Sequence, residues 1–130
     1  YNGALLYDDY AHHPDELAAT IDAVHTMENC KRLVIAFQPH TYTRTHALFN
    51  DFVRELQKPD VVVIAEIYAA RERNTVGISS KDLQAQIPGS VYCQTLPQVT
   101  EYLRSIAQPG DMIITVGAGD IYRAGEALLK

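Results

Sequence analysis

Val61-Val62-Val63-Ile64-Ala65 is apolar at every position and almost entirely β-branched. It is too short for a buried helix, and it has no polar alternation to mark a wetted face. Such a run is a strand covered on both sides, as in parallel sheets flanked by helices. Working outward, Leu33-Val34-Ile35-Ala36-Phe37 has the same character, as does the run at 112–116; residues 4–7 and 91–94 are shorter and weaker. Helix-period segments separate these runs. Residues 14–27 place Leu17, Ile21 and Val24 on one face; 45–57 place Phe49, Phe52, Val53 and Leu56; 97–107 place Val99, Tyr102, Leu103 and Ile106. Two shorter helices are predicted at 79–86 and 121–129. Pro14 suits a first helical position, Asp15 and Glu16 complement the positive helix end, and Ser79 with Asp82 forms a capping pair. Strand and helix in alternation predict a three-layer α/β domain with a mainly parallel sheet and right-handed crossovers.

The chain has 130 residues, enough for one domain with one core, and 47% of them are hydrophobic. A net charge of −5 argues against a nucleic-acid or anionic-membrane surface, which needs clustered Lys and Arg. No apolar run approaches the length of a membrane span, and no signal peptide is evident. Cys30 and Cys93 are far apart and lack metal-ligand spacing, so reduced thiols in a cytoplasmic protein are expected. Asn2-Gly3 is the favoured pair for a two-residue hairpin turn, yet only Tyr1 precedes it. Residue 1 is therefore expected to be an internal position of a longer protein.

Ligands of open parallel sheets bind beyond the carboxyl ends of the strands. The segments there are Asp8-Asp9-Tyr10-Ala11-His12-His13 after the first strand and Gln38-Pro39-His40-Thr41-Tyr42-Thr43-Arg44-Thr45 after the second. Glu66-Ile67-Tyr68-Ala69-Ala70-Arg71-Glu72 follows the third, and Gly117-Ala118-Gly119-Asp120 the last. His12, His13, His40 and His46 all fall in or beside the first two segments, so binding-type groups gather on one edge. A metal could take His12 and His40 with Asp9 or Glu66, although no HxH or HExxH spacing is present. The plainer reading makes His13 a helix N-cap, His12 a turn residue bonded to backbone, and Asp8 and Asp9 solvated loop acids. Arg44 opens a helix, where a cation opposes the dipole, and its natural partner is a carboxylate or phosphate gripped bidentately. Gly117-Ala118-Gly119 fails as a dinucleotide fingerprint because Tyr122 stands at the third glycine position. It reads instead as a tight turn that lets a ligand or a neighbouring domain approach closely. A GxxxxGK[ST] loop is absent, so this chain by itself has no such cradle for ATP phosphates.

Taken together, DDYAHHPDE at 8–16, FQPHTYTRT at 37–45, the EIYAARE and VGISSKDL stretches, and VGAGDI at 116–121 resemble the C-terminal domain of the Mur ligases over essentially the whole chain. The likeness is strongest to the member that joins L-alanine to UDP-N-acetylmuramate in peptidoglycan synthesis. The resemblance implies a Rossmann-like domain at 1–130 that closes over two others, an N-terminal one holding the UDP sugar and a central one holding the P-loop, ATP and magnesium. It implies an acyl-phosphate intermediate attacked by the amine of L-alanine. Asp9 would bond the ATP ribose, and Tyr10 would lie close to the nucleotide. His12 would face the alanine and the reacting centre as the catalytic group. Arg44 would hold the alanine carboxylate, and His40 would line the same pocket. Thr41 departs from the family pattern, since many members carry a second arginine there. Two other readings stay open on the residues alone: a metal-dependent hydrolase on the histidine-rich edge, and a Rossmann-like binding module without catalysis.

Overall fold

The computed structural model describes residues 1, 3–27 and 30–130. Asn2, on which the hairpin reading rests, lies outside the described residues. In chain order the elements are β1 (Leu5–Asp9), α1 (Pro14–His25), β2 (Arg32–Phe37), α2 (Tyr42–Ala47), α3 (Phe49–Glu55) and β3 (Val61–Ala65). There follow α4 (Ser80–Gln86), β4 (Val91–Cys93), α5 (Leu96–Ile106), β5 (Asp111–Val116) and α6 (Tyr122–Leu128). The strands form one sheet in the order β1-β5-β2-β3-β4, and every pairing is parallel. This is the α/β architecture that the alternation predicts.

Side chains of a strand point alternately to the two faces, so a run without polar positions serves two cores. Leu33, Ile35 and Phe37 of β2, with Met112, Ile114 and Val116 of β5, pack against Leu17 and Ile21 of α1, Phe52 of α3 and Leu83 of α4. Val34, Ala36, Val63 and Ile113 face the other way, onto Val99 and Leu103 of α5 and Ala124 and Leu128 of α6. Ile35 is fully buried, and its truncation to alanine would cost about 2–5 kcal/mol.

The predicted helix at 45–57 is two helices. The chain becomes helical at Tyr42, because the Thr41 side chain caps the Arg44 N–H, and breaks at Leu48, whose φ of −109° and ψ of 19° leave the helical region. The buried face that the spacing suggests survives in α3, where Phe52 packs in the core together with Leu56 just beyond the helix. The first helix ends at His25 rather than at 27: Thr26 is its C-cap and its hydroxyl donates to the Ala23 carbonyl at 2.7 Å. At the far end of the sheet, Arg32 donates to both oxygens of buried Asp111 at 2.9 and 2.7 Å. Cys30 and Cys93 are free thiols.

Candidate active site at the carboxyl edge of the sheet

The first segment is shaped by its own acids. Asp8 accepts from the Thr115 hydroxyl on the neighbouring strand β5. Asp9 accepts from the Ala11 N–H at 3.0 Å and from the Thr20 hydroxyl of α1. Those bonds turn the chain so that Ala11 enters the core while Tyr10 stands 71% exposed. His13 is the N-cap of α1, its Nδ1 accepting from the Asp15 N–H at 3.1 Å. Glu16 completes the capping box by accepting from the backbone N–H groups of His12 and His13. The N-cap reading of His13 therefore matches the structure.

His12, His40 and Arg44 come together. The rings of His12 and His40 lie 6.0 Å apart, and that of His40 stacks on Tyr68 at 5.6 Å. Arg44 Nη1 lies 3.3 Å from His40 Nδ1. A guanidinium can only donate, so His40 Nδ1 accepts and a neutral His40 carries its hydrogen on Nε2. Burial pushes the His40 pKa down, and the charges of Arg44 and His12 push it the same way. His40 is thus a neutral imidazole at pH 7. Among the described residues Arg44 makes no ion pair with a carboxylate. Glu72, bonded at the start of the same helix, is the carboxylate whose charge Arg44 feels, but it forms no ion pair with it. A cation held beside a neutral ring is thus suited to receive a carboxylate from outside.

Asp9 and Tyr10 belong to an adjoining cleft, shared with Asp8, Thr115, Gly117, Ile121 and Tyr122. A carboxylate has about four lone-pair positions, so the bonds to Ala11 and Thr20 leave Asp9 able to accept from a ligand hydroxyl. The exposed Tyr10 ring borders the same cleft.

The third segment builds rather than reacts. Glu66 accepts from the Tyr92 hydroxyl at 2.6 Å, the Ser79 hydroxyl at 2.9 Å, and the N–H groups of Ile67 and Ser80 at 3.0 and 3.1 Å. Burial pushes its pKa up, but these hydrogen bonds, that of Tyr92 foremost, outweigh burial and hold it below the ordinary value. Conversely, burial and then Glu66 drive the Tyr92 hydroxyl up to about 12. Glu66 is therefore withdrawn from the metal-ligand set that the sequence allows. Among the described residues no group of three His, Cys, Asp or Glu side chains is arranged to hold a metal ion. The hydrolase reading accordingly finds no support.

Glu72 was no more than one acid of a loop at the level of sequence. Its carboxylate accepts from the Tyr42 and Thr43 N–H groups at 2.8 and 3.1 Å and from the Thr43 hydroxyl at 2.6 Å. It thereby satisfies the start of α2 and offsets the dipole that Arg44 opposes. The backbone continues this join, with Thr41 N–H donating to Tyr68 O and Tyr68 N–H to Pro39 O, each at 2.8 Å. The strained φ of Thr41, 67°, sits within that bonded frame. Only the recurrence of acids after buried strands hinted at these roles.

The glycine turn is tightly packed against its own chain. A Cβ on Gly119 would stand 2.5 Å from the Tyr68 ring and 2.7 Å from Gln38 Oε1, and one on Gly117 would stand 3.0 Å from Gln38 O. What stands against Gly119 is the chain's own Tyr68 and Gln38, while Gly117 also lines the cleft of Asp9 and Tyr10. Buried Gln38 locks the arrangement: its Nε2 donates to Asp120 Oδ1 at 2.8 Å, and its Oε1 accepts from Asp120 N–H at 3.1 Å. No helix among the described residues is long and apolar enough to cross a membrane.

This arrangement of loops has clear relatives. The chain is 50% identical, over its whole length, to the UDP-N-acetylmuramate–L-alanine ligase of Lachnospira eligens, and 47% identical, over 99% of its length, to that of Agathobacter rectalis. It spans 29% of the length of each of those two proteins. The crystal structure of the UDP-N-acetylmuramate–alanine ligase of Thermotoga maritima has the same fold, with a TM-score of 0.78 and 23% identity over 98% of this chain and 26% of that one. The family profile described as "Mur ligase, glutamate ligase domain" matches residues 1–119. With its sheet, its paired loops and that match in agreement, the chain belongs to the Mur ligase family through this domain.

Proposed function

We propose that residues 1–130 are the amino-acid-binding, closing domain of a cytoplasmic ATP-dependent ligase that joins L-alanine to UDP-N-acetylmuramate in peptidoglycan synthesis. The observation that carries this reading is the Arg44 guanidinium, in no ion pair with a carboxylate among the described residues and bonded to a neutral His40 whose ring lies 6.0 Å from that of His12. The names of the relatives in Lachnospira eligens and Agathobacter rectalis supply the reaction.

On this reading Arg44 takes the alanine carboxylate, and His40 lines the same pocket without repelling the alanine ammonium. His12 accepts the proton that the amine must lose before or as it attacks. The acyl group arrives as an acyl phosphate made from the muramate carboxylate and ATP. Asp9 accepts from the ribose hydroxyls and Tyr10 borders the nucleotide, while the phosphates and magnesium belong to the central P-loop domain. That division agrees with the absence of GxxxxGK[ST] from this sequence. Closure of the domain excludes water, which would otherwise consume the acyl phosphate.

The test is phosphate release by the full-length protein. Release should require UDP-N-acetylmuramate and L-alanine together, and the 130-residue chain alone should turn over no ATP. Turnover by the isolated chain, or indifference of the full-length protein to L-alanine, would contradict the proposal.

A further inference from the structure

His12 Nδ1 is buried and has no hydrogen-bond partner, although the side chain as a whole is 37% exposed. An anion faces it: Glu16 Oε1 lies 3.8 Å away, just beyond hydrogen-bond reach. That oxygen is anchored, because it also accepts from the His12 N–H at 3.2 Å and the His13 N–H at 3.1 Å. The hydrogen bond from the His12 N–H is also the chief reason that the Glu16 carboxyl titrates below its ordinary value. Glu16 is thus ionised and stationary beside the ring.

A neutral imidazole carries one N–H and one lone pair. A lone pair at Nδ1 would point a second acceptor at a carboxylate with no donor between them. An N–H there meets an acceptor that a small ring movement brings into bonding range. We propose that Glu16 is a positioning residue that sets the His12 tautomer, placing the hydrogen on Nδ1 and leaving the lone pair on Nε2 to accept the proton of the incoming amine.

The remaining groups around the ring agree. His13 directs its own Nδ1 to the Asp15 N–H. His40 has already given its Nδ1 lone pair to Arg44 and bears its hydrogen on Nε2. Of the two rings in the cluster, only His12 has a lone pair to offer. When the amine proton moves to Nε2, the ring becomes an imidazolium whose Nδ1–H still faces the Glu16 carboxylate. That is the division of labour by which an acid orients a catalytic histidine, here an acid that is itself about half exposed but anchored by two backbone N–H groups.

The base role rests on the function proposed above, whereas the tautomer does not, so the two can be tested apart. In the chain labelled with ¹⁵N-histidine, ring-nitrogen shifts report which nitrogen of neutral His12 carries hydrogen, with His12 assigned by the signals lost in His12→Asn. Hydrogen on Nδ1 is expected, moving mainly to Nε2 in Glu16→Gln, which keeps an oxygen for the capping box but loses the charge. Hydrogen on Nε2 in the wild type, or no change in a folded Glu16→Gln, would overturn the assignment. If Glu16→Gln does not fold, the wild-type spectrum decides alone.

In the full-length protein, Glu16→Gln should lower kcat about tenfold or more, up to the roughly 100- to 10,000-fold that a general base as a whole contributes. The KM for L-alanine should change little. A shifted tautomer with unchanged kcat would overturn the base role of His12. A full-length protein without alanine-dependent activity would overturn the proposed function and leave the tautomer result standing.

Discussion

At the scale of single residues, the site depends on which polar atoms are already engaged. Arg44 has no carboxylate partner among the described residues, and His40 holds one of its terminal nitrogens. Removing the guanidinium should therefore remove a charge-assisted grip on substrate and little internal structure. Arg44→Ala in the full-length protein is expected to raise the KM for L-alanine by about 10- to 150-fold, the equivalent of about 1.5–3 kcal/mol for hydrogen bonds to a charged group. Steady-state kinetics with varied alanine checks this, and an unchanged KM would refute the assignment. Asp9 answers to a different ligand. Asp9→Ala should weaken ATP binding more than alanine binding, measured as the two KM values side by side; the reverse order would exclude the ribose contact. Thr41 serves as the cap of α2, its Oγ1 accepting from the Arg44 N–H at 3.3 Å.

At the scale of elements, carboxylates cap the helices that frame the site. Glu66 ties the end of β3 to the start of α4 and to Tyr92 of β4. Its folded-state pKa lies below the ordinary value of 4.5. A depressed carboxyl contributes stability that is complete above its unfolded pKa and is lost as pH falls through the folded one. Glu66→Gln should accordingly be less stable than wild type at pH 7, with the gap narrowing as pH drops below about 4.5, the ordinary glutamate range. Urea unfolding of both proteins at neutral and acid pH measures this, and a gap independent of pH would show that the Glu66 charge does not matter. α2 and α3 give the second lesson of this scale. The apolar spacing of Phe49, Phe52, Val53 and Leu56 identified a helix correctly, but apolar spacing carries no record of a side-chain cap. The early start at Tyr42 follows from hydrogen bonds of Thr41 and Glu72, and Glu72 lies across a loop from the helix it serves.

At the scale of the whole molecule, the site exists because β5, late in the chain, inserts between β1 and β2. That insertion sets the glycine turn against Gln38 and Tyr68. Gly119→Ala forces its methyl into the Tyr68 ring, and Tyr68 is the platform of His40. The substitution should destabilise the fold by about 1–3 kcal/mol through overpacking, and it should raise the alanine KM in the full-length protein. Thermal unfolding with parallel kinetics checks both, and a variant of wild-type stability would mean that the ring yields freely.

The layered α/β class was legible in the sequence, because the apolar runs at 33–37, 61–65 and 112–116 require cover on both sides and alternate with helix-period segments. The sequence by itself also determined the face of each long helix and the gathering of His12, His40, Arg44 and Asp9 on one edge, since those positions follow directly from where strands end. Local pattern could not determine strand order or register, such as Leu33 opposite Met112, because such pairings join residues far apart in the chain through backbone bonds that any side chain permits. Only the tertiary structure showed that Glu66 caps α4 rather than joining a metal-ligand set, that Glu72 caps α2, that Gly119 makes room for Tyr68, and that Glu16 faces His12 Nδ1. Each of those roles depends on which neighbour satisfies a polar atom or fills a space, and only the folded chain supplies the neighbour.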